Sequence, residues 1–157
     1  MKTQTNLQLI GYINKYGCFF MCIVYWLNLA AQKVDLGFNR LNNLWMTAID
    51  TDIISGDENG DGDMDDANEL LIGDKDKLLA LAGIKLKYFG SFAPDAVVKR
   101  SGQFYIGEFY REWTEKGKKC SFTHFAGIDE NFKVVYDPIP NSLTVAKGVL
   151  KTVRVFG

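Results

Sequence analysis

Tyr16-Gly17-Cys18-Phe19-Phe20, continuing through Met21, Cys22, Ile23, Val24, Tyr25, Trp26 and Leu27, is the stretch on which the fold turns. From Cys18 to about Gln32 it is apolar nearly all round, the pattern of a helix that lies in the centre of a domain and has no solvated face. Cys18 falls in the first turn, where exposed backbone N–H groups and the positive end of the helix dipole favour a thiolate. An isolated buried cysteine ordinarily acts as a small hydrophobe. Cys18 stands apart because a histidine and a carboxylate arrive late in the chain in a pattern that suits it.

Around this core helix the chain divides into helices first and strands second. Thr5 to Tyr16, with Leu7, Leu9 and Ile13, predicts a brief strand or an extended arm ending at Gly17. Gly37 and Asn39 offer a stop and a cap, after which Leu41, Leu44, Trp45, Ala48 and Ile49 recur at helical spacing. Asp74 or Asp76 can cap a third helix through Leu78, Leu79 and Leu81, with Gly83 closing it in the left-handed conformation. Beyond Gly83 the period changes to two: Ile84, Leu86 and Tyr88 alternate with Lys85 and Lys87. Further strands are expected at Phe104 to Trp113, Ser121 to Ile128, Lys133 to Asp137 and Val149 to Phe156, separated by turns at Ser101-Gly102, Lys116-Gly117 and Asp129-Glu130-Asn131. The expectation is one α+β domain over residues 1–157, with an antiparallel sheet and an acidic loop at 57–68.

The chain carries 18 basic and 19 acidic side chains, which argues against a general attraction to nucleic acid. Its acidity is local. Asp57 to Glu69 holds seven carboxylates and no Lys or Arg. The three cysteines, Cys18, Cys22 and Cys120, make no disulfide framework and suit a reduced thiol. The apolar run is too short, and too interrupted by Asn28, to span a membrane. Its charged lead and its Leu29-Ala30-Ala31 end match an export signal only loosely, so export is the less favoured destination.

His124, the only histidine, lies on the strand before the Asp129-Glu130-Asn131 turn, and Asp137 on the strand after it. An even-numbered loop centred on Glu130-Asn131 sets His124 directly opposite Asp137, Ala126 opposite Val135 and Phe125 opposite Tyr136, with paired Cβ atoms about 4.5–5.5 Å apart. The three residues then have complementary roles: Cys18 as nucleophile, His124 as base and later acid, Asp137 as the group that orients the imidazole and stabilises its cation. The Cys18 N–H is the expected oxyanion donor, with Asn14 as the nearest candidate for a second. A zinc reading of Cys18-x3-Cys22 and Cys120-x3-His124 competes, but Cys120 and His124 on one strand would stand about 13 Å apart.

Gly17-Cys18-Phe19-Phe20 heading a helix, then His124-Phe125, then Tyr136-Asp137-Pro138 with Ser142 beyond, resembles the papain-like cysteine peptidases, most closely their bacterial and phage-associated C39-like or NlpC/P60-like branches. The resemblance covers nearly the whole chain. It implies a papain-like fold and thiol-dependent cleavage of a peptide or muropeptide amide bond in a bacterial or phage setting. No organic cofactor is expected, and a cytoplasmic or phage-associated location is favoured. The family's frequent glutamine shortly before the cysteine is not matched, since that stretch reads Gly11-Tyr12-Ile13-Asn14. The main alternative is a catalytically inactive papain-like binding or structural protein, such as a component of a phage or mobile element.

Asp57 to Asn68 follows the EF-hand or dockerin calcium pattern: oxygen-bearing side chains at loop positions one, three, five and nine (Asp57, Asn59, Asp61, Asp65), glycine at six (Gly62) and Met64 at eight. Asp63 contributes a backbone carbonyl in this pattern. The twelfth position is Asn68 where a bidentate Glu is usual, so a structural calcium of modest affinity is expected. A dockerin-like interaction module is the weaker reading, because only one such loop is present.

Overall fold

A computed structural model describes residues 1–64 and 70–157. The described residues form helices α1 (Gly11–Tyr16), α2 (residues 18–32), α3 (Phe38–Asp50), α4 (Lys75–Leu81) and α5 (Leu143–Lys147). They also form strands β1 (Tyr88–Phe92), β2 (Phe104–Glu115), β3 (Lys118–Ile128), β4 (Val134–Tyr136) and β5 (Val149–Phe156). The protein is α+β: N-terminal helices, with Cys22 buried in α2, packed on a five-stranded antiparallel sheet of order β1-β5-β2-β3-β4.

Helix α2 begins with one α turn, Cys18–Phe20, and then winds wider, its backbone bonds stepping five residues, as from the Leu27 N–H to Cys22 O and from the Lys33 N–H to Asn28 O. Met21 to Leu27 are all buried, as the unbroken apolar run requires. The polar interruption at Asn28 is satisfied inside: its amide donates to Val24 O and Ala82 O, and its carbonyl accepts from Gln32 Nε2. That network locks the end of α2 against the end of α4. Among the described residues no helix is long and apolar enough to cross a membrane.

Helix α3 buries Leu41, Leu44, Trp45 and Ala48 on one stripe. Helix α4 starts at Asp74, whose carboxylate accepts from Lys77 N, and its following turn closes on Gly83 at φ 73°. Strands β2 and β3 form a long hairpin in continuous register from Tyr105↔Ile128 to Glu115↔Lys118. Its two-residue turn, Lys116-Gly117, takes positive φ at both positions, the twist-matched hairpin geometry.

Three expectations need correction. The lead-in is helical over Gly11–Tyr16, where a strand or arm was expected. The alternating Ile84-Leu86 stretch stays outside the sheet, with Lys85 N held by Gln32 Oε1, and β1 begins only at Tyr88. In the β3–β4 hairpin, Gly127 pairs with Tyr136 and Ile128 with Val134 across an irregularity, so Tyr136 stands two positions from the predicted partner Phe125. Asp137 lies beyond the end of β4.

The helical layer meets the sheet most closely over β3. A Cβ on Gly127 would stand 2.6 Å from the Trp26 ring, so only glycine admits α2 at this distance. Phe19 stacks on Phe125 with centroids 4.5 Å apart, and Cys22 Sγ reaches Phe125 O at 3.5 Å. These contacts lay the first two turns of α2 along the strand that carries His124.

Candidate active site

Cys18 opens α2 and is half-buried. Its approach is shaped by Gly17, where a Cβ would fall 2.5 Å from Ile13 O, so α1 and α2 join in a tight step that a larger residue would push apart. His124 lies on β3 opposite Phe109 of β2 and is fully buried. Its Nε2 lies 2.7 Å from Asp137 Oδ1, and the same oxygen accepts the Ile139 N–H at 2.9 Å. The carboxylate is thus fixed by the turn that follows β4, and it reaches His124 by folding back, not by standing opposite it in the ladder.

With Nε2 committed to Asp137, Nδ1 is the nitrogen left for the thiol. Nδ1 is buried and has no hydrogen-bond partner among the described residues. Cys18 is nevertheless close enough to raise the imidazole pKa through hydrogen bonding and charge. Cys18 thus lies near the ring without a well-aligned hydrogen bond to Nδ1. Burial, the largest single influence on His124, opposes the imidazolium. The Asp137 hydrogen bond, the Cys18 interactions and the Asp137 charge together outweigh it and push the pKa up to about 9.

Cys22, one turn on, is sealed in the core. Burial first, then the Cys18 and Asp137 charges, push its thiol well up, so it remains neutral. Cys120 lies elsewhere on β3, with its Sγ near Lys118 O. Among the described residues no group of three or more His, Cys, Asp or Glu side chains converges as a metal site.

Asn14 sits on α1 one turn before Cys18, but its Nδ2 donates to Gln4 O and Asn6 O. Both amide protons are spent on the lead-in, so the structure does not bring a free Asn14 donor to the thiol. The residue that sequence reasoning passed over is Gln4: buried, bonded through its N to Pro138 O and through Nε2 to Asn14 O. No local pattern marks it.

In the acidic loop, Asp57 accepts from Gly60 N and Gly62 N, Asn59 from Asp61 N, and Asp61 from Asp63 N. Ser55 and Leu71 pair across its base, beside the Ile54–Ile72 bridge. Asp65 and Asn68 lie outside the described residues.

A cleft of about 460 Å³ opens beside Cys18, walled by Phe122 and Phe125 on β3, floored by Trp45, and bordered by Lys75 and Arg154. No family model matches the chain, and no curated protein and no solved structure matches it.

Proposed function

We propose that this chain is a papain-like thiol hydrolase that cleaves a peptide or peptidoglycan stem-peptide amide. The observation that carries the reading is the buried His124, tied through Nε2 to Asp137 at 2.7 Å with Nδ1 left unpartnered near Cys18. The layout, a nucleophile-bearing buried helix followed by a sheet that supplies the base, supports the papain-like assignment.

In this chemistry His124, with its pKa pushed up to about 9, already holds the proton at Nδ1 as an imidazolium. Cys18 Sγ attacks as the thiolate, bonding to the amide carbonyl carbon while the carbonyl electron pair moves to oxygen. The tetrahedral adduct collapses with cleavage of the C–N bond, and the departing amine takes the proton from Nδ1. Water then attacks the thioester, giving one proton to Nδ1, and the C–S bond breaks to release the acid and restore the thiolate beside the imidazolium. Asp137 holds the ring with Nε2 protonated throughout and stabilises the imidazolium between steps.

The test is iodoacetamide alkylation of native protein across pH, read by mass spectrometry with Cys22 and Cys120 as internal controls. Fast labelling of Cys18 well below pH 8, slowed in His124→Ala, is the expected result. Labelling no faster than Cys120 would sink the hydrolase reading. A second reading, a binding protein that keeps the fold without turnover, is favoured by one observation, the commitment of the Asn14 amide elsewhere. Cys18→Ala separates the two, since it abolishes turnover and leaves binding intact.

The acidic loop is proposed as a structural calcium site, with Asp57, Asn59, Asp61, Asp63, Asp65 and Asn68 as ligand positions. The oxygen-rich spacing supports this, and the ion takes no part in bond cleavage. Calcium should raise the melting temperature and protect the loop from proteolysis; a titration that changes neither removes the ion from the account.

A further inference from the structure

The cleft beside Cys18 has a composition that the thiol chemistry does not require. Its described lining is largely apolar and contains no carboxylate, yet three cationic side chains border it: Lys15 from α1, which lies over the Tyr16 ring, Lys75 from α4's first position and Arg154 from β5. Arg154 has a partner in the protein: Nη1 meets Glu108 Oε2 at 2.8 Å and Thr152 Oγ1 at 3.0 Å, and the guanidinium lies over the rings of Phe19 and Phe125. Glu108 therefore balances one positive charge. Lys75 Nζ donates to Ile72 O at 2.7 Å and Gly73 O at 3.2 Å, and no carboxylate bonds to it among the described residues.

Lys75 thus brings to a mostly apolar surface a charge that backbone carbonyls solvate and that no carboxylate bonds among the described residues. Its ammonium is disfavoured by burial first and by the Arg154 charge second, with Asp74 partly offsetting both.

We infer that this cleft is a specificity site for a peptide segment carrying a bulky apolar side chain next to a carboxylate, the ring walls of Phe122 and Phe125 taking the apolar group and Lys75, with Arg154 behind it, the anion. The inference deepens the hydrolase reading and rests on it for the meaning of the site. Its test does not depend on turnover. A neutral or basic substrate would leave Lys75 without a bonded carboxylate in a partly desolvated wall, whereas a carboxylate gains a charge-assisted bond there.

The experiment measures binding of Ac-Glu-Phe-NH2, Ac-Gln-Phe-NH2 and Ac-Lys-Phe-NH2 to the full Cys18→Ala chain by calorimetry and tryptophan fluorescence. The Glu peptide should bind about tenfold more tightly than the Gln peptide, and the Lys peptide more weakly than either. Lys75→Gln should erase the Glu preference, and Lys75→Arg, which keeps the charge, should retain most of it. Equal affinities in the parent chain, or a Glu preference that survives Lys75→Gln in a folded variant, would overturn the inference. Alkylation of Cys18 in the parent protein separates the two claims: a reactive thiol with no Glu preference removes only the specificity site, and a clear preference with an inert thiol removes only the hydrolase.

Discussion

Replacing Asp137 with asparagine should flatten the pH dependence of stability over a defined window. His124 is fully buried, and its pKa is pushed from an ordinary 6.5 to about 9. The native state therefore holds a proton that the unfolded chain releases at lower pH. A raised histidine pKa adds stability that is fully present below about pH 6.5 and is lost as pH climbs through about 9. The full contribution is about 3 kcal/mol at roughly 1.36 kcal/mol per pKa unit. About 2 kcal/mol of it should disappear between pH 6.5 and 8.5, and the unfolded thiol of Cys22, half-ionised at about pH 8.5, adds only about 0.4 kcal/mol to the loss at the end of that window. With a denaturant slope of about 2 kcal/mol/M, the urea midpoint should fall by roughly 1 M. Asparagine keeps an oxygen for His124 Nε2 and Ile139 N but removes the charge, so Asp137→Asn should lose at least half of that slope. Equilibrium urea unfolding of reduced protein at half-unit pH steps is the assay. A parent midpoint that is flat or rises across the window would refute the imidazolium, and an undiminished slope in Asp137→Asn would refute Asp137 as its partner.

Three further outcomes follow from packing and caps. Gly127→Ala forces a Cβ to within 2.6 Å of the rigid Trp26 ring, so α2 must lift from β3; urea unfolding should show a loss of about 1–3 kcal/mol, and Cys18 alkylation should slow relative to Cys120. Asp74→Ala removes the acceptor of Lys77 N at the start of α4 and should cost about 1 kcal/mol in the same assay, with Cys18 labelling unchanged. Asn28→Ala strips the donor to Val24 and Ala82 and the acceptor of Gln32 Nε2 from a buried position, and a loss of about 1–3 kcal/mol is expected.

What could be read from the sequence was governed by local period and local caps. The apolar run predicts α2 over Cys18 to Gln32 because burial on every side leaves no other way to satisfy the backbone, and the Asp74 and Gly83 signals bound α4 at both ends. The strand from Val149 to Phe156 follows from its own alternation. The lead-in defied the same reasoning, since its helix is held by distant partners: Asn42 Oδ1 accepts from Ile10 N, and Asn14 binds the carbonyls of Gln4 and Asn6. Alternation at Ile84-Leu86 suggests a strand, yet Gln32 on α2 takes the Lys85 N–H and the segment runs along the helices. The proximity of His124 and Asp137 was inferred from a strand register that the β3–β4 irregularity breaks; the carboxylate arrives by a turn whose geometry no pattern in the hairpin announces. Lys75 and Arg154 come from elements about eighty residues apart, and only the packed sheet brings them to one cleft.

The site's geometry depends on two separate alignments, and the N-terminal segment couples them. Cys18 is placed against His124 by direct packing of α2 on β3, through Phe19 on Phe125 and Trp26 on Gly127. Asp137 leaves a strand only three residues long, too short a ladder to hold a carboxylate rigidly by itself. Residues 2–4 supply the missing restraint: Lys2 O accepts from the Tyr136 hydroxyl, Gln4 N donates to Pro138 O, and Gln4 Nε2 donates to Asn14 O one turn ahead of Cys18. The segment therefore bonds to the residues on both sides of Asp137 and to the helix that leads into Cys18. Burying Gln4 for this purpose leaves its Oε1 without a partner among the described residues, a cost that a purely apolar residue at this position would avoid. An apolar side chain would also lose the Asn14 bond, and with it the side-chain link between the Asp137 turn and the helix that leads into Cys18.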